Sequence, residues 1–423
     1  MPKTHYLNVK YGIGHLVLPL GLLLCWNAHA TLETEPSGLE VSPGPGQLSL
    51  SELPFNAPAS DVLVTDLDKD GRLDLAFTSH GGNFSQVFFQ RDPRRFESGP
   101  KSEAVGYHPG NLLEVRHEKG SSLLMSAEGA GRLYTLALAE NGELSVAAEA
   151  RVPFPRFTAS FRWPEWGLGM AVAPFSPPSV MLLKEYDPID VKAASRVNLP
   201  LKGTAFPLQS IAIADLDGDD IDEIILPFHQ RGMLRVIRYP GPEGEIKVDS
   251  LWQTPSLGTV KHVAVADVNG DGRVDLLAPQ ESPKPGGIDK AFINLLLNKG
   301  NREFELIELE FPSKPRAEGG MPGIRGLDTA VDQDGKRYIL AAGYDAYVLY
   351  QLASNVPLGS IPSRNLPFAA REAIFEVLLK DVDGDGWLDA VVARGRDESA
   401  GLVIYGPLWD NFHEYAEGEM KTP

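Results

Sequence analysis

Four short segments of the chain crowd oxygen-bearing side chains together at one repeated spacing. They are "DLDKDGRLD" at 66–74, "DLDGDDIDE" at 215–223, "DVNGDGRVD" at 267–275 and "DVDGDGWLD" at 381–389. All four fit the pattern D-x-[DN]-x-D-[GD]-x-x-[DE]. A hard cation such as Ca²⁺ takes about six to eight oxygen ligands and accepts flexible carboxylate geometry. The pattern therefore predicts a calcium ion in each loop, held by side chains at positions 1, 3, 5 and 9 and by the backbone carbonyl at position 7.

The predicted ligands follow directly from these positions. The side-chain ligands are Asp66, Asp68, Asp70, Asp74, Asp215, Asp217, Asp219, Glu223, Asp267, Asn269, Asp271, Asp275, Asp381, Asp383, Asp385 and Asp389. The carbonyl ligands belong to Arg72, Ile221, Arg273 and Trp387. Such a set fills the coordination sphere from one loop and leaves no evident open position for a substrate, so the ions are predicted to be structural.

Position 6 of the segments bears on how well each loop closes around an ion. Gly71, Gly272 and Gly386 allow the left-handed turn that folds the chain back, whereas Asp220 in the second segment predicts weaker binding there. An EF-hand is excluded because it needs Glu at position 12 and flanking helices. Simple polar turns remain the alternative, since Asp, Asn and Gly favour turns without an ion. Four loops with one donor pattern, whose unneutralised carboxylates would repel one another, favour calcium.

The flanks of each acidic segment are typical of β-strands. Apolar residues stand two and four positions before the first Asp, as Val64 and Val62 do, and a continuous apolar run follows the loop. Each copy is therefore a predicted hairpin. Two further strand patterns surround a polar turn in "AFINLLLNKGNREFELIELEF" at 291–311, so one unit has four strands.

The spacing of the units predicts how many there are. The first acidic residues lie 149, 52 and 114 residues apart, which corresponds to three, one and two steps of one unit. Degraded copies fill the gaps from Leu112, Ala159 and Thr329, and ion binding at their loops near Arg116, Trp163 and Asp332 stays open. We therefore predict an all-β fold, a seven-bladed β-propeller of four-stranded antiparallel blades over residues 46–416. Residues 46–53 are predicted to close the last blade as an N-terminal strand.

The acidic segments, with the "LLLNKGNREFE" that follows the third, resemble the FG-GAP and VCBS repeat family, which includes the calcium-binding propeller of integrin α subunits. The resemblance covers about residues 47–416, strongly in four blades and weakly in three. It implies the propeller fold and calcium ligation at the positions given above. It says little about biochemical role, because propellers carry their functions on loops.

The N-terminus predicts export. Lys3 and Lys10 precede an apolar run from Ile13 to Cys25, and Ala28 and Ala30 provide small residues for cleavage, so residues 1–30 form a predicted signal peptide. A membrane anchor is the alternative, but the run is shorter than the ~20 residues that span a bilayer. Residues 31–45 are a predicted Pro/Gly-rich linker and residues 417–423 a C-terminal tail. The protein is expected in the periplasm or outside the cell.

Charge and cysteine content restrict the partners. Removing residues 1–30 takes away two positive charges and the only cysteine, bringing the formal net charge from −18 to −20. Without disulfides, the fold must be held by its core and by metal. A surface this acidic repels phosphate backbones, so nucleic acid is an unlikely partner class. No transmembrane segment is expected in the processed chain.

The loops opposite the acidic hairpins are the predicted place for a ligand. The candidate ligand-binding residues there are His80, His229, Arg231, Glu281, Tyr344, Arg394 and Arg396, a mixture that suits a glycan, a peptide or a protein. Ordinary solvated loops are the alternative. We predict no catalytic residues, because no nucleophile or metal-hydrolase motif occurs. A non-enzymatic binding or assembly module is therefore favoured; the alternative is a secreted polysaccharide lyase or hydrolase with an acid–base group near the central channel.

Overall fold

Seven antiparallel sheets follow one another along the chain in the computed structural model. The structure describes residues 49–176, 178–201, 208, 210–228, 232–253, 259–260, 262–282, 291–311, 324–343, 347–352, 361–365, 374–395 and 399–411. In the first six sheets the strands are consecutive in sequence, and each pairs with the next except that both pieces of the first strand of blade 5 pair with its second strand, as in the blades of a propeller. The predicted seven-bladed all-β fold is confirmed.

Blades 1 to 4 each contain four strands. Blade 1 has β2 (Asp61–Thr65), β3 (Asp74–Ser79), β4 (Phe84–Asp92) and β5 (Arg95–Ser102). Blade 2 has β6 (Pro109–His117), β7 (Gly120–Ala127), β8 (Arg132–Leu138) and β9 (Leu144–Arg151). Blade 3 has β10 (Pro155–Trp163), β11 (Gly167–Pro174), β12 (Ser179–Lys184) and β13 (Ser195–Pro200). Blade 4 has β14 (Ala212–Ala214), β15 (Glu223–Phe228), β16 (Met233–Ile237) and β17 (Val248–Gln253).

Blades 5 to 7 complete the ring. In blade 5 the first strand is in two pieces, β18 (Thr259–Val260) and β19 (Ala264–Ala266), which both pair with β20 (Asp275–Ser282); β21 (Ala291–Asn298) and β22 (Phe304–Phe311) follow. Blade 6 has β23 (Ile324–Val331), β24 (Arg337–Gly343), β25 (Tyr347–Leu352) and β26 (Ser363–Asn365). Blade 7 has β27 (Ile374–Lys380), β28 (Asp389–Arg394) and β29 (Gly401–Ile404). The helices of the described part are a 3₁₀ turn, Glu103–Val105, and a short α1, Leu408–Asn411.

The fourth strand of blade 7 comes from the other end of the chain. Strand β1 (Leu50–Leu53) pairs antiparallel with β29, with Leu50 opposite Ile404 and Leu53 opposite Gly401. This pairing confirms the prediction that an N-terminal strand closes the last blade. The part of the prediction that concerns residues 46–48 lies outside the described residues.

Burial changes across each blade in the way that radial packing requires. The second strand β3 is buried at every position, whereas the fourth strand β9 alternates between buried or half-buried and exposed positions. A strand in the middle of a blade is covered on both faces by the neighbouring blades, while the outermost strand meets solvent. The continuous apolar runs after the acidic loops therefore have a structural cause.

The hydrophobic core is divided into seven clusters, one between each pair of neighbouring blades. Strand β3 shows how one strand serves two of them. Leu75 and Phe77 pack in the cluster shared with blade 7, whereas Ala76 packs in the cluster shared with blade 2. This division follows from the two-residue period of a strand, whose side chains alternate between its faces.

The innermost strands contact one another around a closed ring, β2, β6, β10, β14, β19, β23 and β27. A carboxylate on one inner strand accepts a backbone N–H from the next blade. Asp61 Oδ2 accepts from Leu112 N at 2.6 Å, and Asp328 Oδ2 accepts from Leu379 N at 2.7 Å. These bonds tie neighbouring blades together beside the central channel. In the part of the chain described, no helix has both the length and the apolar character needed to cross a membrane.

Candidate metal loops and ligand rim

The four acidic segments form the turns between the first and second strands of blades 1, 4, 5 and 7. They fold with one internal hydrogen-bond pattern. The carboxylate at position 1 accepts backbone N–H groups from positions 5 or 4 and from position 6, as Asp66 does from Asp70 at 3.1 Å and Gly71 at 3.0 Å. The equivalent bonds to position 6 are made by Asp215, Asp267 and Asp381 at 2.8–3.0 Å. Identical local spacing therefore gives identical loop closure.

Position 6 adopts the backbone conformation that the sequence requires. Gly71, Gly272 and Gly386 have φ between 83° and 90°, the left-handed region that favours glycine. Asp220 takes the same conformation with φ 63°, which Asp tolerates better than most residues. The second loop is thus closed although it has Asp in place of Gly at position 6.

In each of three loops, the acidic side chains converge closely enough to bind one cation together. Ligand oxygens lie within 4.8 Å of one another in the sets Asp66, Asp68, Asp70; Asp215, Asp217, Glu223; and Asp381, Asp383, Asp385. In the blade 5 loop an amide replaces one acid, and Asn269 Nδ2 donates to Asp271 Oδ2 at 3.1 Å. Clustered carboxylates of this kind are the donors that Ca²⁺ prefers.

The carboxylate at position 9 lies beneath each loop rather than on its surface. Asp74, Asp275 and Asp389 are fully buried and Glu223 nearly so. One oxygen of each accepts the N–H of position 2, for example Val268 N to Asp275 Oδ2 at 3.0 Å. Burial raises the pKa of all four, that of Asp389 to about 7. A buried negative charge costs free energy, and a nearby cation offsets that cost, so these residues fit calcium on chemical grounds.

Neighbouring blades also contact the acidic loops. The β4–β5 turn of blade 1 carries Arg94, whose guanidinium lies 2.5 Å from Asp383 Oδ2 and 2.9 Å from Asp385 Oδ2 in blade 7. The corresponding turn of blade 5 carries Arg302, 3.7 Å from Asp217 Oδ2 in blade 4. Part of the loop charge is therefore balanced by arginine across a blade interface.

The degraded loops of blades 2, 3 and 6 form turns, and in blade 6 the hydrogen bonds of Asp332 are made within its own blade. In blade 6, Asp332 Oδ1 accepts from Asp334 N and Lys336 N, both at 2.9 Å, and its other oxygen accepts from Tyr338 at 3.2 Å. Arg116 lies in β6 and Trp163 ends β10, and the turns that follow these strands present no matching carboxylate set. The three hydrogen bonds that the Asp332 side chain accepts in blade 6 therefore close its own turn.

The opposite rim brings His80 together with residues from two other segments. His80 follows β3, His108 precedes β6, and Glu128 follows β7. The imidazoles of His80 and His108 have centroids 4.3 Å apart, and His80 Nε2 lies 3.5 Å from Glu128 Oε2. Burial and the neighbouring His80 lower the pKa of His108, an effect that Glu128 opposes. The rim thus holds a compact cluster of two imidazoles and one carboxylate.

Aromatic side chains flank this cluster on both sides. Tyr107 stacks on His108 at 3.9 Å, and on the other side Arg156 lies 3.9 Å from Glu128 and 5.2 Å from the ring of Phe175. Phe154 joins Phe175 through a backbone hydrogen bond of 2.8 Å. We call this surface the rim arc, defined by Tyr107, His108, His80, Glu128, Arg156, Phe154 and Phe175. It spans blades 1 to 3.

Among the other predicted rim residues, the structure describes the side chain of Arg394. The Arg394 guanidinium is buried, lies 3.3 Å from Glu52 Oε1 and donates to the carbonyl of Ser399, so it joins the closing strand to blade 7. The side chain of Glu281 lies outside the described residues. The same holds for His229, Arg231, Tyr344 and Arg396 in their entirety.

Three half-buried carboxyls on inner strands were not expected from the sequence. Burial raises the pKa of Asp61 to about 7 and that of Asp328 to about 6. Burial, with the charges of Asp61 and Asp328, raises the pKa of Glu376 well above its ordinary value. Asp61 and Glu376 come from opposite ends of the chain and meet only because the ring closes.

Sequence reasoning also missed His108, Glu128 and the three aromatic residues of the rim arc. A fixed number of residues separates position 9 of each acidic loop from the turn after the second strand, and this count predicts His80. The equivalent turn of blade 2 contains Glu128, but that blade has no complete acidic loop from which to count. His108 and Phe154 lie in connections between blades, where no repeat marks the position.

Comparison with known proteins supports the repeat assignment. A sequence profile described as an FG-GAP-like repeat matches residues 215–278, which include the acidic loops of blades 4 and 5. No curated protein matches the chain significantly. A solved structure described as BBS1N in complex with ARL6DN, soaked with mercury, has a TM-score of 0.54 at 11% identity, covering 84% of this chain and 94% of that chain. A candidate 6-phosphogluconolactonase from Bacteroides uniformis has a TM-score of 0.48 at 14% identity, covering 72% and 83%.

At 11% identity, the first of these structures supports the fold alone. The profile match bears on the repeat itself, because it falls on two blades whose acidic hairpins recur in blades 1 and 7. Together, the profile match and the seven four-stranded blades fit a β-propeller that contains FG-GAP-like repeats.

Proposed function

We propose that this chain is an exported, calcium-stabilised propeller that acts as a binding module, with its ligand on the rim arc. The observation that carries the proposal is the exposure of three aromatic side chains on one rim. Tyr107, Phe154 and Phe175 are 55%, 52% and 40% exposed. Exposed aromatic groups grouped around Arg156 and Glu128 have the composition of a recognition surface, since aromatic residues and arginine are enriched in interfaces.

The remaining parts of the proposal follow from the acidic loops and the N-terminus. Calcium in the four loops stabilises the scaffold on the rim opposite the rim arc, so ligand binding and metal binding are separate in space. The leader-like residues 1–30 lie outside the described residues and support export to the periplasm or the medium. A peptide, a protein or a glycan would each find aromatic faces and charged groups on the rim arc.

The test is a binding screen against glycans and peptides in excess Ca²⁺, with Tyr107→Ala and Phe154→Ala beside the wild type. The matched control is Val331→Ala, because Val331 is 54% exposed at the opposite rim. A ligand of the rim arc should bind both aromatic variants at least about tenfold more weakly, as expected when an aromatic anchor of an interface is truncated. A ligand that binds both variants like the wild type would place the recognition surface elsewhere.

A second candidate function is an enzyme that acts on polysaccharides. The observation that favours it is the raised pKa of Asp61 and Glu376 beside the central channel, because a carboxyl protonated near neutral pH can act as a general acid. Against it, Asp61 already accepts the N–H of Leu112 and so has a structural role. Turnover of a polysaccharide that is abolished by Glu376→Gln, with the fold retained, would favour the enzyme over the binding module.

A further inference from the structure

We propose that His80, His108 and Glu128 form a binding site for a divalent transition metal such as Zn²⁺, distinct from the acidic loops. Each residue contributes one ligand atom, and the three atoms lie within 4.8 Å of one another. The residues come from three separate segments of blades 1 and 2, at the rim opposite the acidic loops. The inference stands whether or not the rim arc binds a ligand.

The distance between the ligand atoms of His80 and Glu128 suits a tetrahedral ion. Zinc binds imidazole nitrogen and carboxylate oxygen at about 2.0–2.2 Å, so two ligands at the tetrahedral angle lie about 3.3 Å apart. His80 Nε2 and Glu128 Oε2 are 3.5 Å apart. This separation is too long for a good hydrogen bond and close to the edge of a zinc tetrahedron.

The same two atoms are buried without a hydrogen bond. Within the described part of the chain, neither His80 Nε2 nor Glu128 Oε2 has a hydrogen-bond partner. Buried polar atoms in native proteins nearly always have a hydrogen-bond partner, and leaving one without a partner destabilises the fold. A metal ion bound between them would satisfy both atoms at once.

The backbone around the cluster fixes where the ligands lie. His80 N donates to Ser60 Oγ at 2.9 Å, His108 N donates to Asn83 Oδ1 at 2.9 Å, and Glu128 N donates to the carbonyl of His108 at 3.0 Å. The last bond joins two of the proposed ligands directly. Ligands held in this way lose little conformational freedom when the metal binds.

The ring of His108 is held from one side by Tyr107. The two rings stack at 3.9 Å, and Tyr107 in turn lies against Gly129, where a Cβ atom would stand 2.1 Å from the tyrosine ring. Gly129 follows the proposed ligand Glu128 directly. The absence of a side chain at residue 129 therefore lets Tyr107 pack onto His108.

The donor set selects the class of metal. Two imidazoles with one carboxylate suit Zn²⁺ and other first-row ions, whereas Ca²⁺ requires oxygen ligands. Three protein ligands leave at least one coordination position for water or for an atom of a bound ligand. The His80 side chain as a whole is 34% exposed, so the cluster lies just below the surface of the rim.

The experiment is a titration of chelator-stripped protein with Zn²⁺ alone, in millimolar Ca²⁺ so that the acidic loops hold the harder cation. Isothermal calorimetry should give one Zn²⁺ per chain. His108→Ala and Glu128→Gln should each weaken binding by at least about 10- to 100-fold, the loss that follows even from removing a group behind a metal ligand. Binding of Co²⁺ should give the visible absorption of a tetrahedral site, and both variants should lose it.

His117→Ala is the matched control, since His117 ends β6 at the opposite rim and contacts Ser122 at 3.0 Å. It should bind Zn²⁺ like the wild type. Thermal unfolding in Ca²⁺ checks that the variants fold, and the isosteric Glu128→Gln decides the matter if the alanine variant does not. The proposal is overturned if the wild type shows no saturable Zn²⁺ binding, if Glu128→Gln binds like the wild type, or if His117→Ala loses binding equally.

Discussion

Asp74, Asp275 and Asp389 occupy equivalent places in three blades, and each is fully buried. One carboxylate oxygen accepts an N–H from its own loop, while the other accepts an N–H near the end of the third strand, as Asp275 Oδ1 does from Asn298 N at 2.7 Å. The residue therefore fixes the acidic loop to the blade beneath it. The side chains at positions 1, 3 and 5 lie above it, where three of the loops bring their carboxylates together.

The first prediction concerns the number of calcium ions. Asp271→Ala and Asp385→Ala each remove a central donor from a closed acidic loop, so each should lower the calcium bound to the purified protein by about one ion from about four. Asp332→Ala is the control, because Asp332 bonds to its own turn and to Tyr338. Elemental analysis after dialysis measures the count. Equal calcium in all three variants and the wild type would mean that the acidic hairpins are turns only.

The second prediction concerns pH. Because burial raises the pKa of Asp61 from 3.8 to about 7, the folded state holds this proton more tightly than the unfolded state. That stabilisation is complete below the unfolded pKa and is lost as the pH rises through about 7. Asp61→Asn cannot ionise and keeps an oxygen for Leu112 N–H. In saturating Ca²⁺, its free energy of unfolding should exceed that of the wild type by an amount that grows between about pH 4 and pH 7.

The size of this gain is limited by exposure to the channel. A full shift would be worth about 4 kcal/mol, but Asp61 is half-buried and we expect about 1–2 kcal/mol at pH 8. Asp92→Asn in the same blade serves as the control, because the Asp92 side chain is 64% exposed. Chemical denaturation across the pH range measures both variants. A difference between Asp61→Asn and the wild type that does not change with pH would contradict the assignment.

At the residue scale, the sequence predicts what is local. The acidic loops could be read from spacing, because every donor of a loop lies within nine residues and the turn is set by position 6. The cluster of His80, His108 and Glu128 could not, because its members lie in a turn, an inter-blade connection and a degraded blade. Only the packing of blade 1 on blade 2 brings them together.

At the scale of the elements, one strand closes the ring where the two ends of the chain meet. Strand β1 is four residues long, yet it covers the edge of β29, whose residues are all buried. Leu53 and Phe55 then pack into the cluster between blades 7 and 1, where the ring centroids of Phe55 and Phe84 are 4.9 Å apart. The sequence predicted this strand because a strand-like segment precedes the first strand of the first unit. The sequence does not predict that Arg94, in the β4–β5 turn of blade 1, contacts the acidic loop of blade 7, because a side-chain contact between blades leaves no periodic signal.

The third prediction is that β1 is essential for closure. A chain that begins at residue 54 should unfold at lower temperature and aggregate, whereas a chain that begins at residue 46 should remain monomeric. Removing β1 exposes the edge of β29, loses about 2–3 kcal/mol from the burial of Leu53, and leaves Arg394 without Glu52. Light scattering and thermal unfolding compare the two chains. Equal stability and equal solubility would show that the ring closes without β1.

The whole molecule is held by seven separate inter-blade clusters and by polar contacts at both rims. Because each blade packs only on its two neighbours, stability depends on every interface of the ring. Many of the polar contacts involve carboxylates, and the chain carries a formal net charge of −18. Arginines such as Arg94 balance part of this charge at the acidic loops.

The last prediction follows from that balance. A doubly charged ion in each of the four acidic loops would reduce the repulsion within the loops and strengthen the contacts beside them. An ion that binds only the folded state stabilises it by roughly 2.7 kcal/mol per site at a hundredfold excess over Kd. Added Ca²⁺ should therefore raise the unfolding temperature steadily through millimolar concentrations, and a chelator should reverse the rise.

Two controls separate this effect from general screening of charge. NaCl at equal ionic strength screens the surface without filling a loop, and Mg²⁺ demands a smaller octahedral site, so both should raise the unfolding temperature less than Ca²⁺. In Asp271→Ala and Asp385→Ala the calcium-dependent rise should shrink, while Asp332→Ala should keep it. If NaCl reproduces the whole effect in the wild type, the loops respond to ionic strength alone, and Arg94 with its counterparts suffices to balance their charge.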